Sequence, residues 1–529
     1  MSIIIQHIQY IHTDKEELFR DLSFSLSKRE KAGLTGNNGC GKSTLLQVIA
    51  GVLKASAGEI ITPTPPYYVP QHFGQYDLLT VGEALQVAEK IRALQAILAG
   101  DASTENFNIL DDDWGIEEKC LAALAAWDLE HITLHHPLSS LSGGEKTKVF
   151  LAGISLHQPS VILMDEPTNH LDASSRSKLY RLIHSSHATI LIVSHDITLL
   201  NLLSKIYEIE NGKILIYGGN YDFYKIRKQE QMNALQMSLE DREKALRQAR
   251  KTAREVTERQ QKLDNRGKKL STKKGISRMH INTLRDKAEK STTKLTDVHL
   301  DKMDEIKDSI KQIQNQIPDL QQLKIQLNSS SLHTGKILIS GKELEFGYGE
   351  GSLWKEPLSL TVKSGDHLLI KGNNGSGKST LLKLLMGDLT PGKGEIRRAD
   401  FSYISLDQEY SIIENELTLY EQLQQFNTNH LEEHELKSLL NRFLFPYNTW
   451  NKKGHQLSGG EKLRLLFCCL LVSNQTPDMI LLDEPTNNLD IQSSEIILAA
   501  LKEYKGTIIA ISHDLHFIDQ IGFSQILQL

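Results

Sequence analysis

Nowhere in the 529 residues does an apolar run approach the roughly 20 residues that span a bilayer, so the chain is not expected to cross a membrane by itself. The opening residues, MSIIIQHIQY, lack a positively charged leader and alternate apolar with polar, which predicts a strand and a cytoplasmic protein. Cysteine is scarce. Cys40, Cys120, Cys468 and Cys469 have no metal-ligand spacing, and adjacent cysteines seldom form a structural bridge, so all four are expected to be reduced thiols filling core space. What remains is a composition of 40% hydrophobic and 24% charged residues, typical of globular chains, in a length that calls for two to four domains. The formal net charge of −6 conceals a division. Residues 226–330 hold 24 Lys+Arg against 15 Asp+Glu, a net of +9, which leaves 36 against 51, or −15, for the flanks.

The flanks repeat each other. GLTGNNGCGKSTLL from Gly33 returns as LIKGNNGSGKSTLL from Leu369, and LSGGEK from Leu141 returns from Leu457. VILMDEPTNHLD from Val161 returns as MILLDEPTNNLD from Met479, and IVSHD from Ile192 as AISHD from Ala510. Glu166 lies 29 residues before His195, and Glu484 lies 29 before His513. Four elements repeated in one order require two homologous domains, 1–225 and 336–529, separated by a linker, 226–335. The first copy has about 21 extra residues, expected in a helical stretch around RALQAILAGDASTENF. Short apolar runs before each glycine loop and before each acidic pair predict buried parallel strands, and so an α/β architecture.

Each copy carries phosphate chemistry. GNNGCGKS (Gly36, Asn37, Asn38, Gly39, Gly41, Lys42, Ser43, followed by Thr44) and GNNGSGKS (Gly372, Asn373, Asn374, Gly375, Gly377, Lys378, Ser379, followed by Thr380) satisfy the phosphate-loop pattern. Glycines let backbone amides turn inward as an anion nest, the next helix adds its positive N-terminus, and the lysine adds a full charge. The serine hydroxyls suit Mg²⁺, a hard cation that prefers oxygen. Asp165 and Asp483, at strand ends, are placed for a second metal-holding carboxylate, and Glu166 and Glu484 for polarising the attacking water of ATP hydrolysis. The bland readings are a chance glycine turn and helix-capping acids. Duplication in matched context argues against the first, and the apolar strand before the acids with the Pro-Thr-Asn after them argues against the second.

LSGGE taken alone is a capping box with Ser142 or Ser458 as N-cap. Followed by the acidic strands, it resembles the signature of the ATP-binding cassette superfamily, a likeness that covers both repeats. The resemblance implies two cassettes facing head to tail within one monomeric chain, each ATP held between one domain's phosphate loop and the other's signature. Lys42, Ser43, Gln71, Asp165, Glu166 and His195 would then act with Ser458 and Gly460. Likewise Lys378, Ser379, Gln408, Asp483, Glu484 and His513 would act with Ser142 and Gly144. Gln71 and Gln408 match the family's glutamine loop, 29 and 30 residues after the lysines, and the two histidines match its γ-phosphate sensor. Tyr348 matches the adenine-stacking aromatic, for which the first copy offers His12 or Tyr10.

The linker is of another kind. Met232, Leu235, Leu239, Leu246, Ala249, Ala253 and Val256 follow a heptad seam interrupted at Arg242, and Met303, Ile306, Ile310, Ile313 and Ile317 form a second that Pro318 ends. Two such helices predict an antiparallel coiled-coil hairpin, the first of about 32 residues and about 48 Å. At its far end NRGKKLSTKKGISR presents Arg266, Lys268, Lys269, Lys273, Lys274 and Arg278 with no acid and no aromatic. A solvated charged linker is the plain alternative. A stiff arm with a cationic end instead suits phosphate-rich surroundings, and the missing aromatics favour backbone and shape contacts with folded RNA over base stacking.

Two cassettes, no membrane segment and a helical linker resemble the ABC-F family over essentially the whole chain. YGGNYDFYKIRKQEQ from Tyr217 is similar to that family's lead into its linker. The resemblance implies ATP and Mg²⁺, no other metal, and a ribosome-bound ATPase. It would occupy the tRNA exit site and direct its linker at the P-site tRNA, 23S rRNA and the peptidyl-transferase centre, as a translation factor or an antibiotic-resistance (ribosome-protection) protein. The short insertion in the first cassette departs from members with a full arm for the L1 stalk. An alternative is the ATPase subunit of a transporter with a separate permease, which normally lacks a hundred-residue basic hairpin between cassettes. A DNA-repair or structural-maintenance ATPase would place its coil inside a cassette or add zinc cysteines.

Overall fold

The computed structural model describes residues 3–12, 17–101, 103–210, 212–271, 301–314, 332–349, 351–407, 412–473, 477–487 and 489–529. They fall into two compact units, one holding Met1–Tyr224 with Leu323–Leu529 and the other Lys225–Gln322. Among the described residues no helix is long and apolar enough to cross a membrane.

In the first cassette the apolar runs form a six-stranded sheet in the order Tyr67–Val69, Val161–Asp165, Thr189–Val193, Lys31–Gly36, Lys205–Glu210, Lys213–Tyr217, parallel except for the last strand. A parallel strand covered on both faces reads as a continuous apolar run, and VILMD shows why. Ile162 and Met164 enter one hydrophobic core while Val161 and Leu163 enter another. The second cassette repeats this in five parallel strands: Tyr403–Leu406, Met479–Asp483, Thr507–Ile511, His367–Lys371, Gln525–Gln528. An antiparallel three-stranded sheet accompanies each, Ile3–Ile11 pairing with Glu17–Leu26 and Ala57–Ile61, and Ile337–Glu345 pairing with Leu358–Lys363 and Lys393–Arg398. In both large sheets the glycine loop leaves the carboxyl end of one strand and the acidic pair ends another, the edge where open α/β sheets bind ligands.

Between sheet and signature the first cassette has helices Val81–Ala84, Ala88–Leu98, Thr104–Leu110 and Ile116–Ala125, where the second has Leu419–Gln425 and Glu433–Arg442. The extra residues of the first copy are therefore helical. Cys120, Cys468 and Cys469 are buried and Cys40 is half-buried, all as free thiols.

The linker helix runs Tyr221–Ser271, 51 residues, rather than the 32 that its apolar seam marks. The seam reports packing, whereas the backbone continues through Glu, Gln, Lys and Arg, all good helix formers, with no proline to stop it. Along it Met232, Leu235, Leu239, Leu246, Ala249, Ala253 and Val256 are half-buried between exposed neighbours. Residues 301–314 form a second helix, with Ile306 buried and Met303, Ile310 and Ile313 half-buried. Arg266, Lys268 and Lys269 lie in the last turns of the first helix, not in a turn between helices; Lys273, Lys274, Arg278 and Ile317 lie outside the described residues.

Candidate active site

The two glycine loops are built alike. Gly39 and Gly41 have φ of 80° and 94°, Gly375 and Gly377 of 79° and 87°, a region that L side chains rarely enter. Space enforces glycine as well. A Cβ on Gly41 would lie 2.3 Å from Leu18 Cδ2, and one on Gly377 2.3 Å from Leu353 Cδ2. Each loop opens into a helix, Lys42–Ile49 or Lys378–Met386, and folds its lysine back over itself. Lys42 Nζ donates to the carbonyls of Gly36 (2.8 Å) and Asn37 (3.1 Å), Lys378 Nζ to those of Gly372 (2.8 Å) and Asn373 (2.9 Å). Burial holds the Lys378 pKa below its ordinary value.

The acids stand at the adjoining strand end. Ser379 Oγ donates to Asp483 Oδ2 at 2.8 Å, and Ser43 hydrogen-bonds to Asp165 in the same way. Burial raises both aspartate pKa values, against the serines and lysines that lower them. Asp165 Oδ1 is buried without a hydrogen-bond partner among the described residues. A carboxylate and a hydroxyl, both hard oxygen donors, fit Mg²⁺, which keeps few protein ligands and takes the rest from phosphate and water.

Glu166 and Glu484 share a strained backbone, with φ of 48° and 52°. A non-glycine residue seldom takes this left-handed region, and both repeats keep it at the same position. Each is held by its neighbour strand: Glu166 N–H donates to Val193 O and Glu484 N–H to Ile511 O, both at 2.9 Å. Burial pushes Glu166 up to about 8, with Asp165 adding to the shift. Burial likewise pushes Glu484 up to about 7, against the lowering charges of Arg176 and Lys378. His195 Nε2 and His513 Nε2 each lie 3.4 Å from their glutamate's Oε1. Burial and then the phosphate-loop lysine hold both imidazoles well below their ordinary pKa, so they are neutral at pH 7 and the contacts are not ion pairs.

Ser142 and Ser458 do cap helices, Gly143–His157 and Gly459–Val472, each in a complete capping box with Glu145 or Glu461. Capping is not Ser142's only position. A cavity of about 970 Å³ is lined by Ser142, Gly144 and Lys148 from the first cassette and by Tyr348, Asn374, Lys378–Thr380, Asp483, Glu484 and His513 from the second. The structure thus brings the first signature to the second phosphate loop. Around the first loop a cavity of about 190 Å³ is lined by Ser43, Gln71, Asp165 and neighbours in the same cassette; Ser458 and Gly460 are not among them. Gln408 lies outside the described residues. Tyr10 is half-buried, its ring 6.2 Å from Phe19, and His12 lies just beyond the strand.

Several residues here carry no motif of their own. Asp172 caps the helix Ala173–Ser185 and also accepts the backbone N–H of Asn374. The repeated LD of NHLD and NNLD was a usable signal for it. Trp354 braces the second phosphate loop, its Nε1 donating to Ser376 O at 3.1 Å. Arg176, buried on that same helix, faces the second cassette.

A family model described as ABC transporter matches residues 19–169 and 356–487. Over 541 residues the chain is 30% identical to ABC transporter F family member 5 of Arabidopsis thaliana, covering 95% of this chain and 72% of that protein. It is 29% identical to the probable ATP-binding protein YbiT of Escherichia coli O157:H7, covering 96% and 92%. With the energy-dependent translational throttle protein EttA of Haemophilus influenzae it shares 28%, covering 96% and 88%. Among solved structures, the complex of archaeal ribosomal stalk protein aP1 and ribosome recycling factor aABCE1 aligns with a TM-score of 0.60 at 19% identity, covering 99% of this chain and 87% of that one. That last likeness is one of fold.

Proposed function

The chain belongs to the ABC-F family, and from that premise we propose that this twin-cassette ATPase works on the ribosome, coupling cassette closure on ATP to the placement of its basic linker. The observation that carries the reading is the shared cavity, in which Ser142 and Gly144 of one cassette meet Lys378, Glu484 and His513 of the other. ATP bound there touches both cassettes and so favours the closed form; hydrolysis removes that bridge. Lys378 and the Gly375–Gly377 amides hold the β- and γ-phosphates, with Ser142 and the Gly144 amide on the γ-phosphate from the opposite side. Glu484 accepts a proton from the water that attacks the γ-phosphorus as the bond to the β–γ bridging oxygen breaks and ADP leaves, and neutral His513 donates to a γ-oxygen. Ser379 and Asp483 would hold Mg²⁺, which when bound neutralises charge on the phosphate oxygens. Lys42, Ser43, Asp165, Glu166 and His195 do the same work with Ser458 and Gly460.

The setting on the ribosome is supported by the basic linker and by the relative named as a translational throttle protein. The protein occupies the tRNA exit site, and its linker reaches P-site tRNA and 23S rRNA near the peptidyl-transferase centre, through phosphate contacts made by Arg266, Lys268, Lys269, Lys273, Lys274 and Arg278. It serves there as a translation factor or as a protector against antibiotics, and sensitivity to large-subunit antibiotics with and without the gene separates the two roles. The ribosomal reading is tested by pelleting ribosomes with the Glu166→Gln, Glu484→Gln double variant and ATP. Accumulation on the particles is expected, and a double variant that stays in the supernatant overturns the reading.

A further inference from the structure

Burying a guanidinium is costly unless its charge and its N–H groups are met. Arg176 is buried, and the groups that meet it come from both cassettes. Its Nε donates to Leu171 O at 3.1 Å, which fixes the side chain at the start of its own helix. Its Nη1 crosses to the second cassette and donates to the backbone carbonyl of His513 at 3.4 Å. The same nitrogen lies 3.8 Å from Asp196 Oδ2, which also accepts the Tyr180 hydroxyl at 2.5 Å. Asp514 of the second cassette feels both Asp196 and Arg176. Arg176 therefore sits between the two acids that directly follow the paired histidines.

The repeat has no second arginine here. Arg176 is four residues after Asp172, and four residues after Asp490 stands Ser494. The hydrogen bond to a histidine carbonyl is correspondingly one-sided, while Arg176 also lines a small cavity with Glu166, His195 and Asp196 of its own cassette.

We infer that Arg176 is a positioning residue that acts across the cassette boundary, holding the His513 loop in place for the ATP site built on Lys378 and Ser142, and that the Lys42 site, with Ser494 at the equivalent position, lacks this tie. The two ATP sites are thus unequal by construction. This rests on the proposed roles of Glu166, Glu484 and His513.

Single-site backgrounds test it. Glu166→Gln leaves the Lys378 site working, and Glu484→Gln leaves the Lys42 site. Arg176→Ala in the first background is expected to lower kcat about tenfold, the scale of a lost charged hydrogen bond, with KM for ATP within about twofold. In the second background it is expected to change kcat less than about twofold. Arg176→Lys should restore part of the loss, since an ammonium reaches Asp196 but cannot fork to Leu171 and His513 together. Should the alanine variant fail to fold, Arg176→Met keeps the aliphatic stem and is measured in its place. Equal losses in both backgrounds, or no loss in the first, overturn the inference. If the Glu166→Gln, Glu484→Gln double variant still hydrolyses ATP, the fault lies with the roles given to the glutamates and not with Arg176.

Discussion

The side-chain amide of Asn374 donates to the backbone carbonyl of His170 at 3.0 Å, which ties the second phosphate loop to the segment of the first cassette that leads into Asp172. Both partners line one cavity, and under the proposed function the bond would link ATP binding to closure. Asn374→Ala removes one neutral hydrogen bond, about 0.5–1.5 kcal/mol. KM for ATP should rise roughly two- to tenfold in the Glu166→Gln background. Steady-state ATPase titrations check this, and an unchanged KM would show that the bond does not contribute to closure on nucleotide.

Tyr348 is 74% exposed, yet it is not adrift. Its hydroxyl lies 3.1 Å from Thr380 Oγ1 and its ring meets Phe346 edge-on with centroids 5.1 Å apart, so one face is free to take a flat base. Stacking a base on an aromatic ring is worth about 1–3 kcal/mol. Tyr348→Ala should weaken binding of a fluorescent ATP analogue at the Lys378 site by about tenfold or more, while Tyr348→Phe, which keeps the ring, should bind almost as the parent does.

Much of this site was legible before any coordinates. The glycines at positive φ, the acids at strand ends and the helix-capping serines all stand where their motifs put them, since each is a local solution to a local constraint. Other features were not legible, because they depend on contacts that no local motif records. Arg176 belongs to no motif, and the histidine carbonyl it reaches is 337 residues away. The left-handed backbone of Glu166 and Glu484 follows from the strand beside them, whose carbonyls hold their amides. In the linker, the apolar seam ends near Val256 but the helix continues to Ser271, because hydrophobic spacing records a packing partner and not the end of helical hydrogen bonding.

Acid stability has a defined contributor in the first cassette. Glu30, buried between strands, accepts Lys205 Nζ and the Tyr207 hydroxyl at 3.0 Å each, and the Ser27 N–H at 3.1 Å. Burial raises its pKa, but Lys205, Ser27 and Tyr207 together outweigh that and hold it below the ordinary carboxylate value of 4.5. A folded-state pKa below the unfolded one means stability that is fully present above about pH 4.5 and is lost as pH falls through the lower, folded value. Glu30→Gln should therefore lower stability near neutrality by about 1 kcal/mol, Lys205 being partly exposed and its charge screened. The parent's advantage should shrink as denaturation curves are taken from pH 7 towards pH 3.

The two signature glycines should respond differently to the same methyl group. Neither Gly144 nor Gly460 has a positive φ, so alanine suits the backbone of both and adds up to about 1 kcal/mol of helix propensity. The backbone conformation by itself thus penalises neither variant. At Gly460 the new Cβ would find Leu489 Cδ2 at 3.4 Å and Ser493 Oγ at 3.5 Å, ordinary van der Waals contacts within its own cassette. At Gly144 it would lie 2.7 Å from the His170 carbonyl oxygen and 3.3 Å from Asn374 Nδ2, so the backbone at His170 must move. That carbonyl is the acceptor for Asn374, and shifting it opens the seam between first signature and second phosphate loop. Gly144→Ala should lower its melting temperature somewhat, through the displaced His170 backbone, and lose about tenfold or more of its ATPase in the Glu166→Gln background, equivalent to about 1.4 kcal/mol of transition-state stabilisation. Gly460→Ala in the Glu484→Gln background should lose far less. Equal losses would mean that the His170 carbonyl moves aside freely, and the seam would then owe its closure to contacts other than the Asn374 bond.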